Sequence, residues 1–272
     1  MKPVIPSVLV LAACGPNLTP EPTADPPLAL DCLPNLDGKI AIDEIRIATN
    51  AKGSYWVSAP DTPVDVVGTA ESDGTKRWDW SVVAPSDELV AVETSSLEGA
   101  WFAPMFPGGE LVAPLNIGHT VVGIMVRDAQ SLSLLGIAST IENPPEGKTL
   151  VVYDAPIPLY LFPIVTGARW SSVGKITTGH GTIDGLPFIG ENRYDVSVDA
   201  IGELDLPEVT FTQVHRVTTH VTVQPSSGPS VSRRSVSFMF ECFGEVARAT
   251  SRDGEPVTDF RVAQEVRRLG IP

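Results

Sequence analysis

The sequence predicts a mostly β protein, with antiparallel sheets forming a sandwich or a curved, partly open barrel and little helix. Two observations predict it. Between Asn192 and Phe243 apolar and polar residues alternate with period two, the pattern of half-buried strands. Nowhere is an apolar stripe at i, i+3, i+4, i+7 sustained, so a helix would have no face to bury. Repeats of the kind that build propellers and solenoids are missing as well.

The strand segments follow in order. "KIAIDEIRIA" alternates, with Ile40 and Ile42, and then Ile45 and Ile47 across a break, as buried positions. "GSYWVSA", "VDVVGTA", "RWDWSVVA", "ELVAVE" and "TVVGIMVRDAQSLSLLGIAS" continue the series, and "NPPEG" and "DAPIP" punctuate it. In "RYDVSVDA", Tyr194, Val196, Val198 and Ala200 fall on one face. Arg193, Asp195, Ser197 and Asp199 fall on the other, which reads as a solvated surface. Gly202 and Pro207 punctuate "IGELDLPE", and "VTFTQVHRVTTHVTV" is rich in β-branched strand formers. After the turn "QPSSGPS", "VSRRSVSFMFECF" puts Val236, Phe238, Phe240 and Cys242 on one face. "ARATSRDGEPVTDFRVA" reads as a hairpin with Asp253-Gly254 in its turn, and the closing "EVRRLGIP" as a strand or a helical turn. Residues 32–150 make an N-terminal β region and 151–272 a C-terminal antiparallel one. These are either two domains, with a boundary near 145–155, or one woven unit.

The first thirty residues are of another kind. Lys2 is followed by Pro3 to Ala13 without a charge, a short apolar run behind a positive start. That is a secretory signal, too short to span a bilayer. Leu11-Ala12-Ala13-Cys14 resembles the lipobox of bacterial lipoprotein precursors. The resemblance implies a signal peptide over residues 1–13, cut before Cys14. It implies diacylglycerol on the Cys14 sulfur, an acylated amine, and membrane lipid as the first partner. Gly15, in place of a retaining aspartate, implies the outer membrane of the cell envelope. Residues 14–31 are then the lipidated cysteine and a Pro-rich tether, "NLTPEPTADPP". Acyl chains at about 0.8 kcal/mol per buried CH₂ hold such a protein firmly. The formal charge of −14 disfavours nucleic acid and anionic headgroups, so attachment falls to the acyl chains.

With Cys14 taken by lipid, two of the three cysteines remain, Cys32 and Cys242. In an oxidising envelope a disulfide between them is expected, two buried free thiols being the alternative.

Three further segments resemble landmarks that recur together in uncharacterised envelope proteins of Gram-negative bacteria. One is "RWDWS", followed by "FAPMFPGGELVAP". Another is "PLYLFPIVTGARWSS". The last is "VSVDAIGELDLPEVTFTQVHRVTTHV", with Gly202, Leu204, Leu206, Pro207, Phe211, Val214, Arg216 and Val217 at its marked positions. This last segment also looks like a strand pair in curved, half-open antiparallel barrels that hold lipoproteins or other apolar ligands. The resemblance implies an exported β domain and supplies no catalytic residue.

Direct motifs for chemistry are missing. There is no Gly-x-Ser-x-Gly elbow, no His-Glu-x-x-His and no phosphate-cradling loop, and "TTGHGTIDG" reads as a turn. His215 and His220 are an odd number of residues apart and point to opposite faces of one strand. His119 and His180 read as surface residues. Asp37-Gly38 lacks the Asp-x-Asp-x-Asp of a calcium loop. Trp78 and Trp80 share a face and read as core, as do Trp56, Trp101 and Trp170. The expectation is a non-enzymatic envelope lipoprotein with a binding or structural role, with no cofactor and no metal. Its partners are membrane lipid and an apolar ligand or envelope protein. The alternative is a periplasmic carrier that holds a lipid or acyl chain in a curved sheet, and a less favoured one is an envelope hydrolase.

Overall fold

The computed structural model describes residues 32–45 and 47–271. The expected lipidation at Cys14, the signal over 1–13 and the tether over 14–31 lie outside the described residues. The chain from Cys32 onward forms a single unit. It begins with β1 (Lys39–Ile40), a 3-10 turn over Ile42–Glu44, β2 (Lys52–Val57), β3 (Thr62–Pro63), β4 (Thr69–Ala70), β5 (Lys76–Asp79) and β6 (Glu88–Glu93). A meander follows: β7 (Leu111–Pro114), β8 (Val121–Arg127), β9 (Ser131–Ser139) and β10 (Leu150–Leu161). Then come β11 (Ile164–Val165), β12 (Arg169–Ile176), β13 (Gly181–Ile183) and β14 (Leu186–Pro187). The longest strands close the fold: β15 (Gly190–Asp205), β16 (Thr210–Pro225), β17 (Val231–Phe240), β18 (Gly244–Thr250), β19 (Val262–Ala263) and β20 (Glu265–Gly270).

A large sheet runs β4-β5-β15-β16-β17-β18-β20-β2-β6, with β12 also pairing β15, and a six-stranded sheet runs β14-β13-β10-β9-β8-β7. Pairing is antiparallel except between β5 and β15. Among the described residues neither sheet closes into a barrel. The fold is therefore mostly antiparallel β, and among the described residues helical content is confined to two 3-10 turns, Ile42–Glu44 and Ala103–Met105. No helix among the described residues is long and apolar enough to cross a membrane.

Strands from both halves of the chain share the large sheet, since β2, β5 and β6 flank β15 to β20. No boundary separates 32–150 from 151–271. Both faces of the large sheet are covered. On one, Trp78, Leu204, Val214, Val236 and Phe238 are packed beneath the loops that carry Val66 and Phe260. On the other, Val196, Val198, Val217 and Met239 meet Ile40, Ile45 and Ile164. Further along that face, Leu111, Leu134, Val151 and Ile157 of the six-stranded sheet approach, with Ile176 and Tyr194 of the large one. The outer face of the six-stranded sheet is capped by Phe102 and Phe106.

Several local expectations change for identifiable reasons. Val198 pairs Val217 but Ala200 pairs Arg216, so Asp199 is an extra residue in β15. This bulge reverses the alternation. Val198 packs on one face of the sheet and Ala200 against the cluster on the other. Asp199 is exposed, as expected, and its carboxylate also accepts from the buried Arg216 at 2.9 Å. Gly202 does not end a strand either. It lies inside β15 opposite Lys76, where an added Cβ would sit 1.8 Å from the Lys76 carbonyl oxygen. Glycine is what lets β5 run alongside. "DAPIP" likewise lies within β10, bulged outward with Asp154 to Pro156 exposed, a site where strands tolerate proline. "TTGHGTIDG" contains the short strand β13.

Cys242 does not continue the face of Phe238 and Phe240. β17 ends at Phe240, and Cys242 turns the chain at φ +66°. The expected hairpin around Asp253-Gly254 is also replaced. Gly254 turns at φ +74°, but β18 pairs β20, and β19 pairs β3. "EVRRLG" is strand β20. Trp78 and Trp80 are core, both edge-on to Phe238 at 4.8 and 5.0 Å. Trp56, Trp101 and Trp170 are only half-buried, each spending its indole N–H near the surface: on Glu208, on the Ser139 carbonyl and on the Pro158 carbonyl.

Candidate binding cavity

The two sheets do not meet along their whole facing surface. Between them lies a cavity of about 380 Å³. The six-stranded sheet and its flanks contribute Leu111, Ala113, Met125, Leu132, Leu134 and Leu159. Facing them from the large sheet are Val221 of β16, Met239 of β17 and Tyr55 of β2, with Phe243 at the β17–β18 turn. Alternation explains the selection. Positions 235, 237 and 239 of β17 project to this side, while Val236, Phe238 and Phe240 project to the opposite core. The volume lies at the low end of the range for small-molecule sites, which are mostly apolar with a few polar groups.

The polar groups converge on one wall. β18 contains a bulge: Phe238 pairs Ala247, yet Met239 pairs Glu245. The extra residue, Val246, brings Glu245 and Arg248 to the same face, although three positions apart in a regular strand would separate them. Arg267 lies opposite Arg248 on β20. Arg267 donates to Glu245 Oε1 from Nη2 at 2.6 Å and from Nε at 3.1 Å. Glu245 Oε2 accepts from the Ser237 hydroxyl at 2.8 Å and the Tyr160 hydroxyl at 3.4 Å. Burial alone would raise the Glu245 pKa. Arg248, Arg267 and these hydrogen bonds outweigh it and hold the carboxyl down at about 2. Glu245 is thus ionised at neutral pH, and a buried phenol beside it, Tyr160, is pushed well above its ordinary range by burial and by that charge.

The adjacent Arg268 projects to the other face, where it is 4% exposed and bonds the carboxylate of Asp87 at 2.5 Å. Two neighbouring arginines on a strand with both faces covered must each find an interior carboxylate, and these do.

The residues singled out in the sequence are placed as follows. Cys32 and Cys242 are joined by a disulfide with Cα atoms 5.6 Å apart. Phe243, which lines the cavity, immediately follows Cys242. His119 lies on the loop between β7 and β8, and His180 between β12 and β13. His215 and His220 both lie on β16, paired with Ile201 and Asp195. The histidines do not converge, and among the described residues no three His, Cys, Asp or Glu side chains are grouped to hold a metal ion. Glu245, Arg248, Arg267 and Tyr160 were not legible as a cluster. The available signal was the pair Arg267-Arg268 in a strand with covered faces.

Compared with known protein families, curated proteins and solved structures, the chain matches none.

His215 carries a prediction. It is 1% exposed, and its Nδ1 has no protein partner. Burial pushes its pKa from 6.5 down to about 4, opposed weakly by Asp37. The folded state therefore takes up this proton later than the unfolded one. The contribution of neutral His215 to stability is intact above pH 6.5 and is lost as pH falls from 6.5 towards 4. His220 shifts in the same direction through burial and Arg234. Urea unfolding at pH 7 and pH 4.5 should show that His215→Phe removes about 2–3 kcal/mol of the acid-induced loss. An unchanged pH dependence in the variant would refute the assignment.

Proposed function

We propose that this chain is a non-enzymatic, lipid-anchored protein of the bacterial cell envelope that binds an apolar ligand between its two sheets. The observation that carries the reading is the inter-sheet cavity, lined by leucines of the six-stranded sheet, by Val221 of the large sheet and by a methionine from each, Met125 and Met239. A hollow of this kind is costly unless filled, because its lining forgoes dispersion contacts and apolar burial. The lipobox-like Leu11-Ala12-Ala13-Cys14 supports the anchor, and the acidic charge supports attachment through acyl chains rather than headgroups.

Lipids extracted from the purified protein and identified by mass spectrometry test the binding. The expected result is one co-purifying lipid class at near-equal molar amount, lost in Ala113→Phe, which fills the cavity. Absence of bound lipid together with no saturable uptake of a fluorescent acyl probe would overturn it. Detergent phase partitioning of the cell-derived protein tests the anchor. Wild type belongs in the detergent phase and Cys14→Ser in the aqueous phase, and a wild-type protein in the aqueous phase sinks the anchor.

A further inference from the structure

We propose, resting on the binding reading above, that the cavity's ligand is a single-chain fatty acid whose carboxylate sits on the guanidinium of Arg248. Leu115, Val221, Ser235 and Arg248 line both the inner cavity and a shallower groove of about 450 Å³ beside it. Arg248 therefore stands where the apolar interior meets its mouth. Beyond it the groove carries Val223, Val231 and Arg233.

Arg248 is also poorly partnered. Its side chain is 19% exposed. Nη2 donates to the Leu115 carbonyl at 3.4 Å, Nη1 lies 3.7 Å from Glu245 Oε2, and Nε is buried with no protein partner. Glu245 is already engaged by two donors of Arg267, by Ser237 and by Tyr160. Glu265, across from Thr250 on β20, is the remaining carboxylate nearby, and one of its oxygens accepts from the Ile117 amide at 3.3 Å. Guanidinium does not lose its proton in a protein, and burying it is costly unless a counter-charge arrives. Burial and then the like charge of Arg267 hold the Arg248 pKa below its ordinary value, with Glu245 and Glu265 offsetting only part. Arg267, whose side chain is only 9% exposed, ends above its ordinary value because Glu245 and Glu265 outweigh burial. The two arginines thus differ in what they still lack.

A carboxylate suits the weakly filled fork of Arg248, since it accepts two parallel N–H bonds and would out-compete the long bond to the Leu115 carbonyl. One weakly partnered guanidinium calls for a monoanion. The cavity volume suits one acyl chain rather than two, and the chain would lie along Leu134, Leu159 and Met239. A neutral ligand would fill the space and leave Arg248 bare.

Titration calorimetry of delipidated protein at pH 7.5 tests this with dodecanoate, 1-dodecanol and vesicles of two-chain phosphatidylglycerol. Dodecanoate is expected to bind wild type at least about tenfold tighter than dodecanol, and the vesicles to leave dodecanoate binding unchanged. Arg248→Gln should abolish the carboxylate preference while keeping dodecanol affinity, and Arg248→Lys should restore part of it. Equal affinity for dodecanoate and dodecanol in wild type overturns the headgroup assignment and leaves the cavity reading standing. A preference that persists in Arg248→Gln overturns the role of Arg248. Competition by phosphatidylglycerol overturns the single-chain claim. No binding of either single-chain probe overturns the cavity reading itself. The wild-type comparison needs no variant, so a misfolded Arg248→Gln leaves the test intact.

Discussion

Replacing Cys32 and Cys242 together by serine is expected to lower the unfolding free energy by about 4–5 kcal/mol. The bond spans 210 residues of sequence, so its loss releases a very large loop in the unfolded ensemble. That figure is about a quarter or more of the stability of an ordinary domain, about 5–15 kcal/mol. The native side of the balance changes less, because non-covalent contacts hold the same segment. The Cys242 amide donates to the Glu44 carbonyl at 2.6 Å. Glu241 Oε2 accepts from the Asn35 and Leu36 amides at 2.6 and 3.1 Å. The variant should therefore fold to the same structure and unfold earlier. Urea denaturation of the wild type, with and without reductant, and of the double variant provides the check. Coincident midpoints for all three samples would show that the bond adds nothing to stability.

Trp78→Ala is expected to cost about 3–5 kcal/mol. The indole is fully buried, edge-on to Phe238 at 4.8 Å, and its N–H donates to the Val66 carbonyl at 3.2 Å. Gly68, at φ +68°, passes so close that a Cβ there would sit 2.6 Å from the Trp78 ring nitrogen. The loop that carries Val66 is thus shaped around this side chain, and truncation leaves a void that it fills poorly. Trp78→Phe restores most of the volume but leaves the Val66 carbonyl unpaired, at roughly 1–3 kcal/mol. Thermal unfolding should rank wild type above Trp78→Phe and Trp78→Ala last. A Trp78→Ala protein within 1 kcal/mol of wild type would contradict this packing.

What the sequence made legible followed from periodicity. β15 and β17 alternate and β16 is rich in β-branched residues, so their existence and the shared faces of Val196 with Val198 and of Val236 with Phe238 could be read directly. The alternation was also the source of the errors. A single extra residue at Asp199, and another at Val246, exchanges the faces beyond it, and neither residue type announces a bulge. The first misassigned Ala200, which packs on the face opposite Val198. The second concealed that Glu245 and Arg248 share a wall. Gly202 looked like punctuation because the reason for it, the backbone of β5, lies more than a hundred residues away. The cavity was illegible for a different reason. Alternation tells which side chains face inward, but the gap between two sheets depends on how the opposing residues add up in volume, and strands distant in sequence supply them.

The placement of the disulfide has a mechanical consequence. Load applied at Cys32 passes through the covalent link to the turn after β17. It bypasses β1, β2 and the edge strands that would otherwise peel away one at a time. While the bond is closed, a pull between Cys32 and the far end of the chain can draw out only the stretch after Cys242, and the residues enclosed between the two cysteines bear no tension along their own backbone.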